Sequence, residues 1–140
     1  MSASVAHGPR RVLIVEDDEA LSAVIARHLR SRGHDARVAA SAEDAAEMLR
    51  GGFVPTVVVL DINLPGDTGW SLLRDGALAG VGSPAVVVVS ATHVPPSRLK
   101  EFAVSGFLPK PFALATLIDV VERGARTESV SGLEEGIGAR

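Results

Sequence analysis

The sequence contains no cysteine and no apolar run close to the ~20 residues that a membrane-spanning helix needs. Without cysteine, neither a disulfide framework nor a thiolate metal site can form. Basic residues are not in excess, because 14 Lys and Arg stand against 17 Asp and Glu, and the net charge is −3. This balance argues against direct binding to a nucleic-acid backbone. The first residues lack the apolar segment of a signal peptide, so we expect a cytoplasmic protein without membrane insertion.

What the sequence does contain is a regular alternation of apolar strands and amphipathic helices. A length of 140 residues with 46% hydrophobic residues is typical of one globular domain. Continuous apolar runs predict strands at 11–15, 56–60 and 85–89, and shorter runs predict strands at 36–40 and 106–108. Strands that are apolar throughout are typical of a parallel sheet covered on both faces. The sequence therefore predicts an α/β fold with a doubly wound, five-stranded parallel sheet.

The two ends of the chain differ in composition from the middle. We expect a flexible leader over residues 1–10, one domain over 11–126, and a flexible C-terminal tail over 127–140 that is rich in glycine and glutamate. A Pro95-Pro96 pair interrupts the chain after the fourth strand, and Ser97 is a candidate cap for a short helix that follows. The sequence leaves the geometry of this fourth helix open.

Polar and charged side chains follow four of the five predicted strands. The carboxyl ends of parallel strands meet at one edge of a sheet, and ligands bind outside that edge. Three carboxylates near one point repel each other, and a hard cation such as Mg²⁺ relieves that repulsion. A hydroxyl and an ammonium group suit the oxygens of a phosphoryl group. The residues at the predicted edge are Glu16, Asp17, Asp61, Ser90 and Lys110.

Four segments resemble, in the right order, the signatures of the receiver domain of bacterial two-component response regulators. These segments are "RVLIVEDDEAL", "VVVLDINLPGDTGW", "VVVVSA" and "FLPKPF". The resemblance covers residues 11–126 and implies a single-domain, stand-alone receiver with a flavodoxin-like (βα)₅ fold and strand order 2-1-3-4-5. It also implies a cytoplasmic phosphoprotein of a phosphorelay, which receives an aspartyl phosphate from a sensor histidine kinase or a histidine phosphotransfer protein.

The resemblance implies a role for each residue at the predicted sheet edge. Asp61 matches the aspartate that accepts the phosphoryl group, while Ser90 and Lys110 match the hydroxyl and the lysine that contact it. The metal ligands implied for Mg²⁺ are Glu16, Asp17, Asp61 and the backbone carbonyl of Asn63. The peptide bond between Lys110 and Pro111 matches one that is typically cis.

The resemblance further implies a switch formed by Ser90 and Phe107, with output through contacts to a downstream protein. Ser90 moves towards the phosphoryl group, and Phe107 enters the vacated space. Because Phe107 has no hydroxyl group, we expect its ring to lie inward even without phosphate. Three features depart from the family pattern: the segment between Ser90 and Lys110 is short, Pro95-Pro96 falls at the start of the fourth helix, and Ala103-Val104 replaces the usual Gly-Ala pair before the fifth strand. The cognate kinase, stimulus, output partner, phosphoryl lifetime and oligomeric state are left open.

Two alternatives to the switch remain open from the sequence. The first is a small haloacid-dehalogenase-like phosphatase, which also places an aspartate nucleophile after an apolar strand. That family needs a second aspartate two positions later, where this chain has Asn63. The second is an adaptor that has the receiver shape but is not phosphorylated. We expect that the protein is not an enzyme, beyond assisting its own phosphoryl transfer and dephosphorylation.

Overall fold

The computed structural model of the protein describes residues 8–66 and 68–124. Within these ranges, one sheet contains five parallel strands in the order β2-β1-β3-β4-β5, which confirms the predicted topology. The strands are β1 (Arg11–Val15), β2 (Asp35–Ala39), β3 (Val57–Asp61), β4 (Ala85–Ser90) and β5 (Gly106–Pro109). The helices are α1 (Glu19–Ser31), α2 (Ala42–Arg50), α3 (Gly69–Arg74), α4 (Pro96–Glu101) and α5 (Leu114–Glu122). The predicted tail over 127–140 and residues 1–7 of the predicted leader lie outside the described residues.

The three central strands are buried on both faces of the sheet. Successive side chains of a strand point to opposite faces, so an apolar run supplies two cores at once. In β1, Leu13 and Val15 join a core with α2, α3 and α4, whereas Val12 and Ile14 join a core with α1 and α5. This packing explains why the central strands are apolar at almost every position. No helix in the described part of the chain has the length and apolar character needed to cross a membrane.

Sequence signals predicted the start of one helix correctly and the start of another wrongly. Ser41 caps α2 as its sequence pattern suggests, since its side chain accepts a hydrogen bond of 3.0 Å from the Asp44 backbone. The expected cap at Ser97 is wrong, because α4 begins at Pro96 and its cap residue is Pro95, so Ser97 lies inside the first turn. Proline tolerates the first helical position because the first backbone amides of a helix have no internal partner. With six residues, α4 is short, as the proline pair predicted.

The third helix is also shorter than its leucines suggest. The pattern Leu72, Leu73 and Leu78 indicates one continuous helix, but α3 ends at Arg74 and a separate 3₁₀ turn covers Ala79–Val81. Gly76 lies between them with a φ of +76°, which is a left-handed conformation that no α-helix contains. The chain therefore turns at this glycine, and Leu78 enters the core from the connection instead of from the helix.

Candidate phosphoacceptor site

The acidic side chains predicted at the sheet edge converge in the structure. Glu16 and Asp17 directly follow β1, and Asp61 is the last residue of its neighbour β3. Carboxylate oxygens of the three residues lie within 4.8 Å of one another. Glu16 and Asp61 are buried and Asp17 is exposed, so the cluster opens to solvent on one side. Two buried carboxylates this close to a third need positive charge nearby.

Part of that charge comes from Lys110, which follows β5. Its Nζ donates to Glu16 Oε1 at 2.8 Å and to Asp61 Oδ2 at 3.1 Å. Burial acts to lower the pKa of Lys110, but the hydrogen bonds to Glu16 and Asp61 outweigh this effect and raise it. The ammonium group is therefore fixed in its charged form between the two acids. The following peptide bond, Lys110-Pro111, is cis, as the resemblance implied.

One ammonium group does not balance three carboxylates. Burial raises the pKa of Glu16, the hydrogen bond from Lys110 opposes that shift, and the charge of Asp61 adds to it. A raised carboxyl pKa means that the folded protein tolerates the ionised form of Glu16 poorly. Hard oxygen donors with surplus negative charge and an open side suit a divalent cation of the Mg²⁺ type. The residues present therefore fit the metal that the sequence predicted.

Close packing of α3 against β3 holds the backbone of Asp61 in place. A Cβ atom on Gly69, the first residue of α3, would lie 2.6 Å from the carbonyl oxygen of Asp61 and 2.9 Å from the Cα of Ile62. Real Cβ atoms do not approach backbone atoms this closely, so only glycine fits. Sequence reasoning did not single out Gly69 as a residue of the site. Its position in the segment "VVVLDINLPGDTGW", eight residues after Asp61, was the available signal.

Ser90 lies at the same edge of the sheet, but its hydrogen bonds differ from those of the acids. It is the last residue of β4 and is 1% exposed. Its Oγ donates to Asn63 Oδ1 at 3.0 Å or to the Thr92 carbonyl at 2.9 Å. The hydrogen bonds described for Ser90 do not include one to Asp61. Asn63 joins the two residues, because its backbone N–H donates to Asp61 Oδ1 at 2.8 Å.

The last predicted member of the site, Phe107, lies on β5 beside Val88 of β4. Its ring is partly buried and packs against the core on the α2–α3–α4 side of the sheet. The aromatic side chain therefore already lies inward.

Sequence reasoning missed two side chains at the site. For Asn63, only the backbone carbonyl was expected to matter. The hydrogen bonds of Thr92 to Ser90 and Asn63 were not expected.

A flavodoxin-like sheet with an acidic cluster and a lysine at its carboxyl edge defines a class of signalling domain. The sequence matches the family model described as "Response regulator receiver domain" over residues 12–122. This match covers most of the chain, so the protein belongs to the response regulator receiver family. It is a receiver domain of two-component signal transduction, and the phosphatase alternative is not favoured.

Curated relatives agree with this assignment. A response regulator receiver protein of Anaeromyxobacter sp. (strain Fw109-5) is 33% identical over 109 residues, covering 78% of this chain and 43% of that protein. A two-component response regulator of Oryza sativa subsp. japonica is 37% identical over 111 residues, covering 76% of this chain and 65% of that protein. The chain thus spans less than two thirds of the length of either relative.

Solved structures share the fold. The receiver domain of the hybrid histidine kinase CckA is 31% identical, has a TM-score of 0.68, and covers 83% of this chain and 99% of that chain. The response regulator TrrA of Thermotoga maritima, solved in complex with Mg²⁺ and beryllofluoride, has a TM-score of 0.69 at 22% identity. It covers 81% of this chain and 97% of that chain.

Proposed function

We propose that this protein is a phosphorylation-activated switch in which Asp61 accepts a phosphoryl group from the phosphohistidine of a kinase or a histidine phosphotransfer protein. The observation that carries the proposal is the position of the Asp61 carboxylate. It is buried, 3.1 Å from the Lys110 ammonium, and within 4.8 Å of two further acids. The proposal includes a cytoplasmic location for the protein.

The chemistry that this arrangement supports is a single displacement at phosphorus. A carboxylate oxygen of Asp61 forms the new P–O bond while the P–N bond to the donor imidazole breaks, and the imidazole leaves with the electron pair. Such a transfer depends on positioning and charge neutralisation more than on covalent groups of the protein. Lys110 and the Asn63 backbone N–H hold the acceptor oxygens in place. The Ser90 hydroxyl, at the end of the neighbouring strand β4, is the proposed donor to the arriving phosphoryl oxygens.

The proposed metal ligands are Asp17, Asp61, Glu16 acting directly or through water, and the backbone carbonyl of Asn63. When bound, Mg²⁺ neutralises the charge that the carboxylates and the phosphoryl oxygens bring together. Asp17 is the exposed member of the cluster, so an ion enters the site from the side on which Asp17 lies. Glu16 and Lys110 remain paired and keep the acceptor carboxylate orientated.

Output is proposed to pass through protein contacts. A phosphoryl group adds about −1.5 to −2 charge. Ser90 follows that charge, and Phe107 moves into the space beside β4, which shifts the population of conformations at α4, β5 and α5. The ring of Phe107 is already partly buried against the core on this side of the sheet, so the proposed movement is small. The downstream partner is a protein that distinguishes these two populations.

Mass spectrometry of the intact protein tests the proposal. After incubation with acetyl phosphate and Mg²⁺, we expect one added phosphoryl group, which is absent in Asp61→Asn and when a chelator replaces Mg²⁺. Asp75→Asn is the matched control, because Asp75 is an exposed aspartate just after α3. Labelling that persists in Asp61→Asn would contradict the proposal. An unlabelled wild-type protein would support the adaptor alternative, and sustained turnover of a phosphomonoester would support the phosphatase.

A further inference from the structure

The side chain of Asn63 forms a ring of hydrogen bonds with the loop that follows β4. Its Oδ1 accepts from Ser90 Oγ at 3.0 Å and from the Ala91 backbone N–H at 2.9 Å. Its Nδ2 donates to Thr92 Oγ1 at 3.2 Å. The ring closes because Thr92 N–H donates to Ser90 Oγ at 3.0 Å. One asparagine therefore connects the ends of β3 and β4 by three separate bonds.

The orientation of this amide group is determined by its partners. A backbone N–H is always a donor, so the Asn63 atom that faces Ala91 must be the oxygen. The NH₂ group then points to Thr92 Oγ1, which can accept. Exchanging the two amide atoms would place NH₂ against the Ala91 N–H, where two donors cannot form a hydrogen bond. The observed ring is thus the arrangement that satisfies all of these groups.

Within this ring, the single proton of the Ser90 hydroxyl is already engaged. A serine hydroxyl has one proton and two lone pairs. The proton is directed to Asn63 Oδ1 or to the Thr92 carbonyl, which both only accept. One lone pair receives the Thr92 N–H, and Thr92 Oγ1 lies 3.0 Å away, where either hydroxyl group can be the donor. Ser90 must therefore leave Asn63 and the Thr92 carbonyl before it can donate to a phosphoryl oxygen.

We propose that the Asn63 side chain is a latch that holds Ser90 in the unphosphorylated position, so that Asn63 sets how easily the switch turns on. This inference rests on the proposed function, because it assigns regulation to the same site. The latch is a positioning device, since the side chain acts through Ser90. Asn63 is well placed for it: its backbone N–H bonds Asp61 Oδ1 while its side chain bonds Ser90. The acceptor and the switch hydroxyl thus meet at one residue.

Binding of the phosphoryl mimic beryllofluoride with Mg²⁺ tests the latch. The dissociation constant is measured by titration, with the single tryptophan, Trp70, as a fluorescence reporter. Asn63→Ala removes the side-chain bonds but keeps the backbone carbonyl and N–H. Because the ligand no longer has to break the latch, we expect binding about three- to tenfold tighter than in the wild type. Thr92→Val, which removes only the hydroxyl, should tighten binding by about twofold.

The Ser90→Ala background separates the latch from a direct contact between Asn63 and the ligand. If Asn63 acts through Ser90, then adding Asn63→Ala to Ser90→Ala changes the dissociation constant by less than about twofold. The same tightening with and without Ser90 would overturn the inference. So would unchanged or weaker binding by Asn63→Ala in a protein that the wild-type titration shows to be active. A wild-type protein that does not bind the mimic at all would instead overturn the proposed function, and the latch with it.

Discussion

The two ends of the sheet each carry a cluster of charges around buried carboxylates, and the clusters are built in opposite ways. At the carboxyl edge, three carboxylates face one ammonium group. At the amino edge, one carboxylate faces several donors: Glu122 accepts from Arg32 at 2.6 and 2.9 Å, and His34 Nε2 lies 2.9 Å away. Arg10 completes this end by donating to the backbone carbonyl of Glu122 at 2.8 Å. One cluster has surplus negative charge, and the other has its carboxylate fully engaged.

The direction of each pKa shift shows the difference. The Arg32 hydrogen bond lowers the pKa of Glu122 to about 2, against the effect of burial. Burial raises the pKa of Glu16, and the bond from Lys110 does not fully oppose it. A lowered carboxyl pKa means that ionisation stabilises the fold, and a raised one means that ionisation destabilises it. The amino-edge cluster therefore stabilises the fold. The carboxyl edge instead keeps uncompensated negative charge, which can bind a cation and, with it, a phosphoryl group.

The largest effect is expected from removing the charge of Glu122. Glu122→Gln takes the negative charge from Arg32 and His34 but preserves the size of the side chain. We expect the free energy of unfolding at neutral pH to fall by about 2–3 kcal/mol, less than for a fully buried pair because Arg32 is partly exposed. Urea denaturation measures the change, and Glu47→Gln on the exposed side of α2 is the control. A loss no larger than that of the control would show that the amino-edge cluster is not structural.

Acid provides the next test of the comparison. The pKa of Glu122 is lowered from its ordinary value of 4.5 to about 2, so its contribution is complete above pH 4.5 and is lost as the pH falls towards 2. The difference in unfolding free energy between wild type and Glu122→Gln should therefore shrink by about 2 kcal/mol over that range. Glu16, with its raised pKa, has the opposite sign: its contribution is present below pH 4.5 and is lost as the pH rises. A difference that stays constant from pH 5 to pH 2.5 would refute the assignment.

The sequence was a good guide to the fold and to the site at the carboxyl edge. The strand predicted at 11–15 matches β1, because an unbroken apolar run bounded by charges has one reasonable interpretation. The acids and Lys110 were expected together, because every parallel strand delivers its last residues to the same edge. The hydrogen-bond partner of the Ser90 hydroxyl was harder to predict. The strand fixes the position of Ser90, but its hydrogen bond to Asn63 depends on the side-chain rotamer and on the conformation of the following loop.

The amino-edge cluster could not be found from the sequence. Glu122 lies 88 residues from His34 and 112 from Arg10, and each is an ordinary residue in its own segment. No short motif indicates that they meet. Only the topology does so, because α5 runs antiparallel to the sheet and returns its last turn to the start of β1. Ion pairs between residues so far apart in the chain produce no recognisable pattern in the local sequence.

Magnesium should act on one cluster only. A ligand that binds the folded state at ten times its dissociation constant raises the free energy of unfolding by about 1.4 kcal/mol. We expect Mg²⁺ to stabilise the wild type and Glu122→Gln by this amount, because the proposed metal ligands remain intact in both. In Asp17→Asn the increase should fall to a few tenths of a kcal/mol, as measured by the shift of the urea midpoint. Equal stabilisation of Asp17→Asn and wild type would place the ion elsewhere.

The smallest expected effect has the opposite sign from the first. Asp61→Asn makes the same chemical change as Glu122→Gln, but at the edge with surplus negative charge. Without Mg²⁺ we expect it to raise the free energy of unfolding by about 0.5–1 kcal/mol, because relief of repulsion with Glu16 and Asp17 outweighs the weakened bond to Lys110. Urea denaturation in chelator measures this gain, and saturating Mg²⁺ should cancel it by stabilising only the wild type. If Asp61→Asn instead destabilises the metal-free protein as strongly as Glu122→Gln, then both clusters serve the fold and the contrast between them is wrong.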